Sequence, residues 1–165
     1  MDAFSTPRLK AVKLAREDLG ALVELHLDPD VSRFLGGVRT LEATAAYLES
    51  NLRHWADHGV GLFTLWLNDG AFVGRAGLRY VEVEGVRELE IAYTFVKQVW
   101  GLGLATEVAK ALAELWKTQR ADPSLVALVM KGNTASERVL MKAGLLYERD
   151  AEFHGETCSV FRRRR

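Results

Sequence analysis

The sequence predicts an α+β single domain around a mainly antiparallel sheet, and three observations carry that prediction. Asn68-Asp69-Gly70 is a hairpin signal between two apolar strands at residues 61–67 and 71–81. A turn at Glu82–Gly85 leads straight into a third strand at 87–96, so three strands follow one another as a meander. Helical and strand periodicities then alternate through the C-terminal half. At 165 residues, one domain spanning 1–165 with a sizeable core is expected.

The elements follow in order. Leu9–Leu14 alternates apolar and basic residues and reads as a strand. Arg16–Leu27 reads as a short amphipathic helix, broken by Asp28-Pro29-Asp30. Thr40 is placed to cap a second helix whose apolar stripe is Leu41, Ala45, Leu48, Leu52 and Trp55, and His58-Gly59 ends it. After the meander, the helix from about Leu102 to Thr118 carries the stripe Leu104, Val108, Leu112 and Leu115. Ser124–Met130 is apolar throughout and predicts a buried strand; Asn133–Ala143 predicts a helix closed by Gly144. Leu146–Glu152 and Thr157–Arg163 complete the order β-α-α-β-β-β-α-β-α-β-β.

Composition narrows the function classes. Apolar content of 48% and charged content of 27% are those of an ordinary globular domain. Lys+Arg and Asp+Glu are each 22, so the balanced charge gives no general attraction to nucleic acid or to an anionic membrane. The one strongly basic run, Arg162–Arg165, reads as a solvated, frayed terminus. A single Cys158 excludes an intramolecular disulfide and leaves no basis for a cysteine-built zinc site. His26, His54, His58 and His154 lack metal-ligand spacing, and Trp55, Trp66, Trp100 and Trp116 are scattered as core residues usually are. No apolar run is long enough to span a bilayer and no leader pattern opens the chain, so a cytoplasmic location is expected.

The chemistry concentrates between residues 88 and 107, where an alternating strand meets a helix across Gln98-x-x-Gly101-x-Gly103. Unpaired N–H groups at the positive end of a helix dipole suit a phosphate, and glycines allow close approach. Gly-Lys-Ser/Thr, a third dinucleotide glycine and a magnesium-holding acidic cluster are all missing. A diphosphate held by backbone amides without metal is the remaining reading; a purely structural turn is the alternative. Glu88, Glu90 and Ala92 share one strand face, and Glu90 is the candidate general base. The plainer reading is that both glutamates line a solvated face or pair with Arg79 or Arg87. Asn133 begins a helix and suits an N-cap, while Thr134-x-x-Glu137 fits a capping box.

Together these segments resemble the GNAT superfamily of acetyl-coenzyme A-dependent N-acetyltransferases, with the closest likeness to the ribosomal-protein N-terminal (alanine/serine) acetyltransferase branch. The likeness runs through Thr6-Pro-Arg-Leu-Lys-Ala-Val-Lys-Leu14, Asp28-Pro-Asp-Val-Ser-Arg-Phe-Leu35, Phe72-Val-Gly-Arg-Ala-Gly-Leu78, Glu90-Ile-Ala-Tyr93, Trp100-Gly-Leu-Gly-Leu-Ala-Thr-Glu107 and Asn133–Gly144. It implies a cofactor cleft between splayed strands near 88–96 and 124–130. Phe95 and Val96 would pair with the pantetheine arm of acetyl-CoA. Amides of Gln98, Val99, Trp100, Gly101, Leu102, Gly103, Leu104 and Ala105 would hold the pyrophosphate. Asn133 would bond the pantetheine. Where many members carry a thiolate-protonating tyrosine this chain has Leu140, and Ser136 matches the serine of the N-terminal acetyltransferase branch. Tyr147 and Tyr93 are lesser proton donors. Arg33 and Phe34, with Glu90, would line the acceptor site, although a hydrophobic clamp between helices is an equal reading of Phe34.

The expected reaction is acetyl transfer from acetyl-CoA, as co-substrate and without metal, to a primary amine by direct attack in a ternary complex. Cys158 lies far along the chain from the glycine turn, which argues against an acyl-enzyme. The acceptor is a protein N-terminus or a small amine, and the state a monomer or homodimer. A catalytically inactive acyl-CoA-binding or sensor module is the alternative.

Overall fold

The computed structural model describes residues 1–165. Eight strands and five α-helices form in the order β1 (Ala3–Ser5), β2 (Leu9–Lys13), α1 (Leu19–Leu27), α2 (Pro29–Ser32), α3 (Leu41–His58), β3 (Leu62–Leu67), β4 (Phe72–Val83), β5 (Val86–Phe95), α4 (Leu104–Gln119), β6 (Ser124–Met130), α5 (Thr134–Lys142), β7 (Leu146–Phe153) and β8 (Glu156–Arg164). Short 3-10 turns at Arg16–Asp18 and Lys97–Val99 precede α1 and α4. The strands are hydrogen-bonded in the order β1-β2-β3-β4-β5-β6-β8-β7. The β5–β6 pair is parallel; β1–β2, β2–β3, β3–β4, β6–β8 and β7–β8 are antiparallel. The α+β class and the mixed, mainly antiparallel sheet agree with the sequence reading. Two elements differ from it. β1 is an added edge strand, and Asp28-Pro29-Asp30 starts the one-turn helix α2 rather than simply ending α1. The reason is local: the Asp28 carboxylate accepts from the Asp30 and Val31 amides at 2.9 and 3.3 Å, and proline suits the first helical position.

The chain divides into two compact units, residues 1–77 with 93–104 and residues 78–92 with 105–165. In the first unit, Leu9, Leu22, Leu25, Leu48, Leu62, Phe63 and Leu65 are buried. Trp55 of α3 stacks edge-on to Phe63 at 5.1 Å and donates its indole N–H to the Leu62 carbonyl at 2.7 Å. Thr40 caps α3 by accepting from the Ala43 amide, and Gly59 closes the helix at φ +64°. A polar cluster lies within this unit. His26 is fully buried, its Nδ1 3.0 Å from Thr44 Oγ1, and its Nε2 accepts from Arg75 Nε at 3.3 Å.

In the second unit, Val83, Val126, Ala151 and Val160 pack together, and Leu112, Trp116, Leu125 and Leu140 are fully buried. The basic run is not frayed, contrary to the sequence reading. Arg162 is only 11% exposed and forks onto Glu88 at 2.7 and 3.0 Å, while its Nε bonds Glu148 at 2.9 Å. Arg163 donates to the Ala143 carbonyl, and Arg165 lies over the Trp116 ring at 5.3 Å. These residues lie in or just beyond strand β8, where partners distant in sequence hold them.

Candidate active site

The expected cofactor turn follows β5 directly. Val96 donates its N–H to the Val73 carbonyl at 2.9 Å, so that amide is committed to β4. Backbone groups alternate in direction along a strand, so the N–H and C=O of Phe95 face the other edge. The Phe95 carbonyl already accepts from the Trp100 indole at 2.9 Å. The Lys97–Val99 turn uses two amides internally: Val99 donates to Val96 and Trp100 to Lys97, and Leu102 then donates to Val99. Gly101 and Gly103 are not donors in that ladder. They adopt φ of +78° and +81°, a region glycine enters freely. α4 opens at Leu104, so the amides of Leu104 and Ala105 have no intrahelical acceptor. Trp100 and Leu102 are 47% and 56% exposed, which removes Trp100 from the core assigned to it by composition. Lys97 pairs with Asp30 at 2.5 Å, tying α2, and hence the segment bearing Arg33 and Phe34, to this turn. Arg33 sits over the Phe34 ring at 5.1 Å.

Glu90 lies in β5 opposite Val126 of β6 and is 5% exposed. Its Oε2 accepts from Arg79 Nε at 2.9 Å. The solvated-face reading is therefore corrected, because burial and a cross-strand cation enclose the carboxylate. Of the two arginines weighed as partners, Arg79 takes Glu90, while Arg87 stacks on Tyr80 at 3.9 Å. Glu88, two residues earlier, belongs to Arg162. Asn133 is the N-cap of α5: its Oδ1 accepts from the Ser136 amide at 3.3 Å. The one-sided cap puts Asn133 and Ser136 side by side on the first turn. Thr134 is not the capping residue, since it already lies inside the helix.

Cys158 is buried in β8. Burial first, then the negative charges of Glu90, Glu152 and Asp150, push its thiol pKa up. A neutral, enclosed thiol is a poor nucleophile. Tyr147 is exposed, and its hydroxyl donates to Asp150 at 3.1 Å, which raises its pKa. That leaves it a weaker acid than a free tyrosine.

Residues 8–146 match the acetyltransferase (GNAT) domain family. The chain belongs to that family. Among curated relatives it is 30% identical over 144 residues to the uncharacterized protein YkkB of Bacillus subtilis, covering 85% of this chain and 82% of YkkB. Among solved structures it is similar to the acetyltransferase from Agrobacterium tumefaciens, with a TM-score of 0.87, 24% identity and coverage of 100% and 95% of the two chains. It is also similar to RimL, a ribosomal L7/L12 α-N-protein acetyltransferase solved with coenzyme A, with a TM-score of 0.80, 16% identity and coverage of 98% and 97%. At those identities the structural likeness establishes the GNAT fold. No helix of this GNAT domain is long and apolar enough to cross a membrane.

Proposed function

We propose that this GNAT domain transfers an acetyl group from acetyl-CoA to a primary amine, a protein N-terminal α-amine or a small-molecule amine, by direct attack in a ternary complex. The observation that carries the reading is the turn at 97–104. Two left-handed glycines, with amides outside the turn's own ladder, lead into the N-terminus of a sixteen-residue helix. Amides of Gln98, Gly101, Gly103, Leu104 and Ala105 are the ones suited to the diphosphate, since those of Val99, Trp100 and Leu102 serve the turn. Of the two residues expected to pair with pantetheine, Phe95 keeps an N–H directed away from β4, and Val96 does not. Asn133 and Ser136 would serve the pantetheine and the leaving thiolate, while Arg33 and Phe34 would face the acceptor.

Glu90 is the proposed base. An amine must be neutral to attack a thioester; an α-amine titrates near roughly 7.7–8, against about 10.4 for lysine. One carboxylate acting directly or through water is therefore adequate help for an α-amine. Glu90→Gln should lower turnover by roughly a hundredfold, with coenzyme A affinity unchanged; amine-dependent release of free thiol measures the first and calorimetry the second. Turnover equal to the parent's would remove Glu90 from the chemistry.

One observation favours a second reading, an acyl-CoA-binding module without catalysis: Glu90 is already paired with Arg79 at 2.9 Å. A panel of peptides and small amines decides between them. Thiol release with any member supports the enzyme; tight coenzyme A binding with no turnover on the whole panel supports the module.

A further inference from the structure

The Thr6–Leu9 stretch has no role in the reading above, yet it reaches the proposed cofactor turn. Arg8 lies exposed between β1 and β2, and its Nη1 donates to the Leu102 carbonyl at 2.7 Å, across 94 residues of sequence. Its Nη2 stands 3.4 Å from where a Cβ on Gly103 would be. The base of Arg8 is held firmly. The Thr6 amide donates to the Leu9 carbonyl at 2.9 Å, the Leu9 amide donates to Thr6 Oγ1 at 3.1 Å, and Pro7 fixes one backbone torsion between them.

Leu102 sits between two glycines with positive φ, so the Leu102–Gly103 peptide plane has unusual freedom to swing. In a trans peptide the C=O and the following N–H point in opposite directions, and no peptide of this chain is cis. A guanidinium fastened to the Leu102 carbonyl therefore turns the Gly103 N–H away from itself. The bond is charge-assisted and stronger than an amide–carbonyl bond.

We propose that Arg8 is a positioning residue for the cofactor turn: by holding the Leu102 carbonyl, it presents the Gly103 N–H to the diphosphate of the acetyl donor. This rests on the coenzyme A reading of the turn. Arg8 acts from the carbonyl side of the peptide, so it orients a donor and does not contact the 3′-phosphate.

The test compares the parent protein with Arg8→Met and Arg8→Lys. Binding of coenzyme A and dephospho-coenzyme A is measured by calorimetry, and of pantetheine, which has no diphosphate, by NMR titration. Arg8→Met should weaken coenzyme A and dephospho-coenzyme A alike by roughly tenfold, the scale of one charge-assisted bond. Pantetheine binding should be unchanged, and Arg8→Lys should recover part of the loss. A change under twofold for coenzyme A would overturn the proposal. So would an equal loss for pantetheine, which marks a general structural role, or a loss restricted to coenzyme A, which would put Arg8 on the 3′-phosphate. If the parent binds coenzyme A no better than pantetheine, the coenzyme A reading fails and the inference falls with it.

Discussion

His26 shows how one buried side chain couples stability to pH. Its Nε2 accepts from Arg75, so the ring proton must sit on Nδ1, which then donates to Thr44 Oγ1. Burial first, then the positive charges of Arg75 and Arg39, lower its pKa from the ordinary 6.5 to about 3. The folded ring therefore stays neutral at a pH where the unfolded chain takes up a proton. The unfolded state then binds more protons, so the His26 contribution to stability is constant above about pH 6.5 and falls as pH drops toward 3, by up to about 1.4 kcal/mol per pH unit. Urea midpoints at pH 7.5, 6.5 and 5.5 should show this fall in the parent, and His26→Gln should flatten it. Little of the cluster was legible beforehand. A histidine on a helix says nothing of an arginine 49 residues away, whereas Glu90 and its possible partner Arg79 could be named because hairpin register is local.

Elements read well where local chemistry decides them, and glycine spacing shows where backbones meet. A Cβ on Gly77 of β4 would stand 2.1 Å from the Gly61 carbonyl oxygen, and one on Gly74 would stand 2.2 Å from that of Thr94. Backbone cannot step aside as a side chain can. Gly77→Ala should destabilise the protein by roughly 2–3 kcal/mol, read from urea unfolding. Gly20→Ala, exposed in α1 with nothing within 4 Å of the new methyl, should instead add about 0.5 kcal/mol. The hairpin, the caps at Thr40 and Asn133 and the closing Gly59 were legible because each depends on a few neighbouring residues. β1 was not: three residues show no period, and the strand exists through pairing with β2. Helix α2 carried its signals, an aspartate cap and a proline, but one turn is too short to declare an apolar face. The strand–turn–helix at residues 88–107 was legible in the sequence, whereas the positive φ of Gly101 and Gly103 was not read there, and the Arg8–Leu102 bond joins segments no local pattern connects.

At the scale of the molecule, β8 carries much of the second unit. It pairs with β6 on one side and β7 on the other, and its Arg162 gathers Glu88, Glu148 and Ser124. The hydrogen bonds that Arg162 donates to Glu88 and Glu148 raise its pKa, and the contact with Arg162 lowers that of Glu148. Arg162→Met would strand the poorly solvated Glu88 carboxylate, while Glu148 keeps Arg164, and should destabilise by roughly 3 kcal/mol. Arg162→Met with Glu88→Gln should recover part of the loss in the same thermal melt, because the stranded charge is gone. That architecture has a consequence for biosynthesis. Strand β8 is the last of the eight to be translated, yet its place is between two strands made before it. Until residues 156–164 exist, β6 and β7 present unpaired edges, the kind of surface that recruits another chain. The second unit must then close in one late step, and a nascent chain stalled short of β8 is the species a chaperone would have to guard.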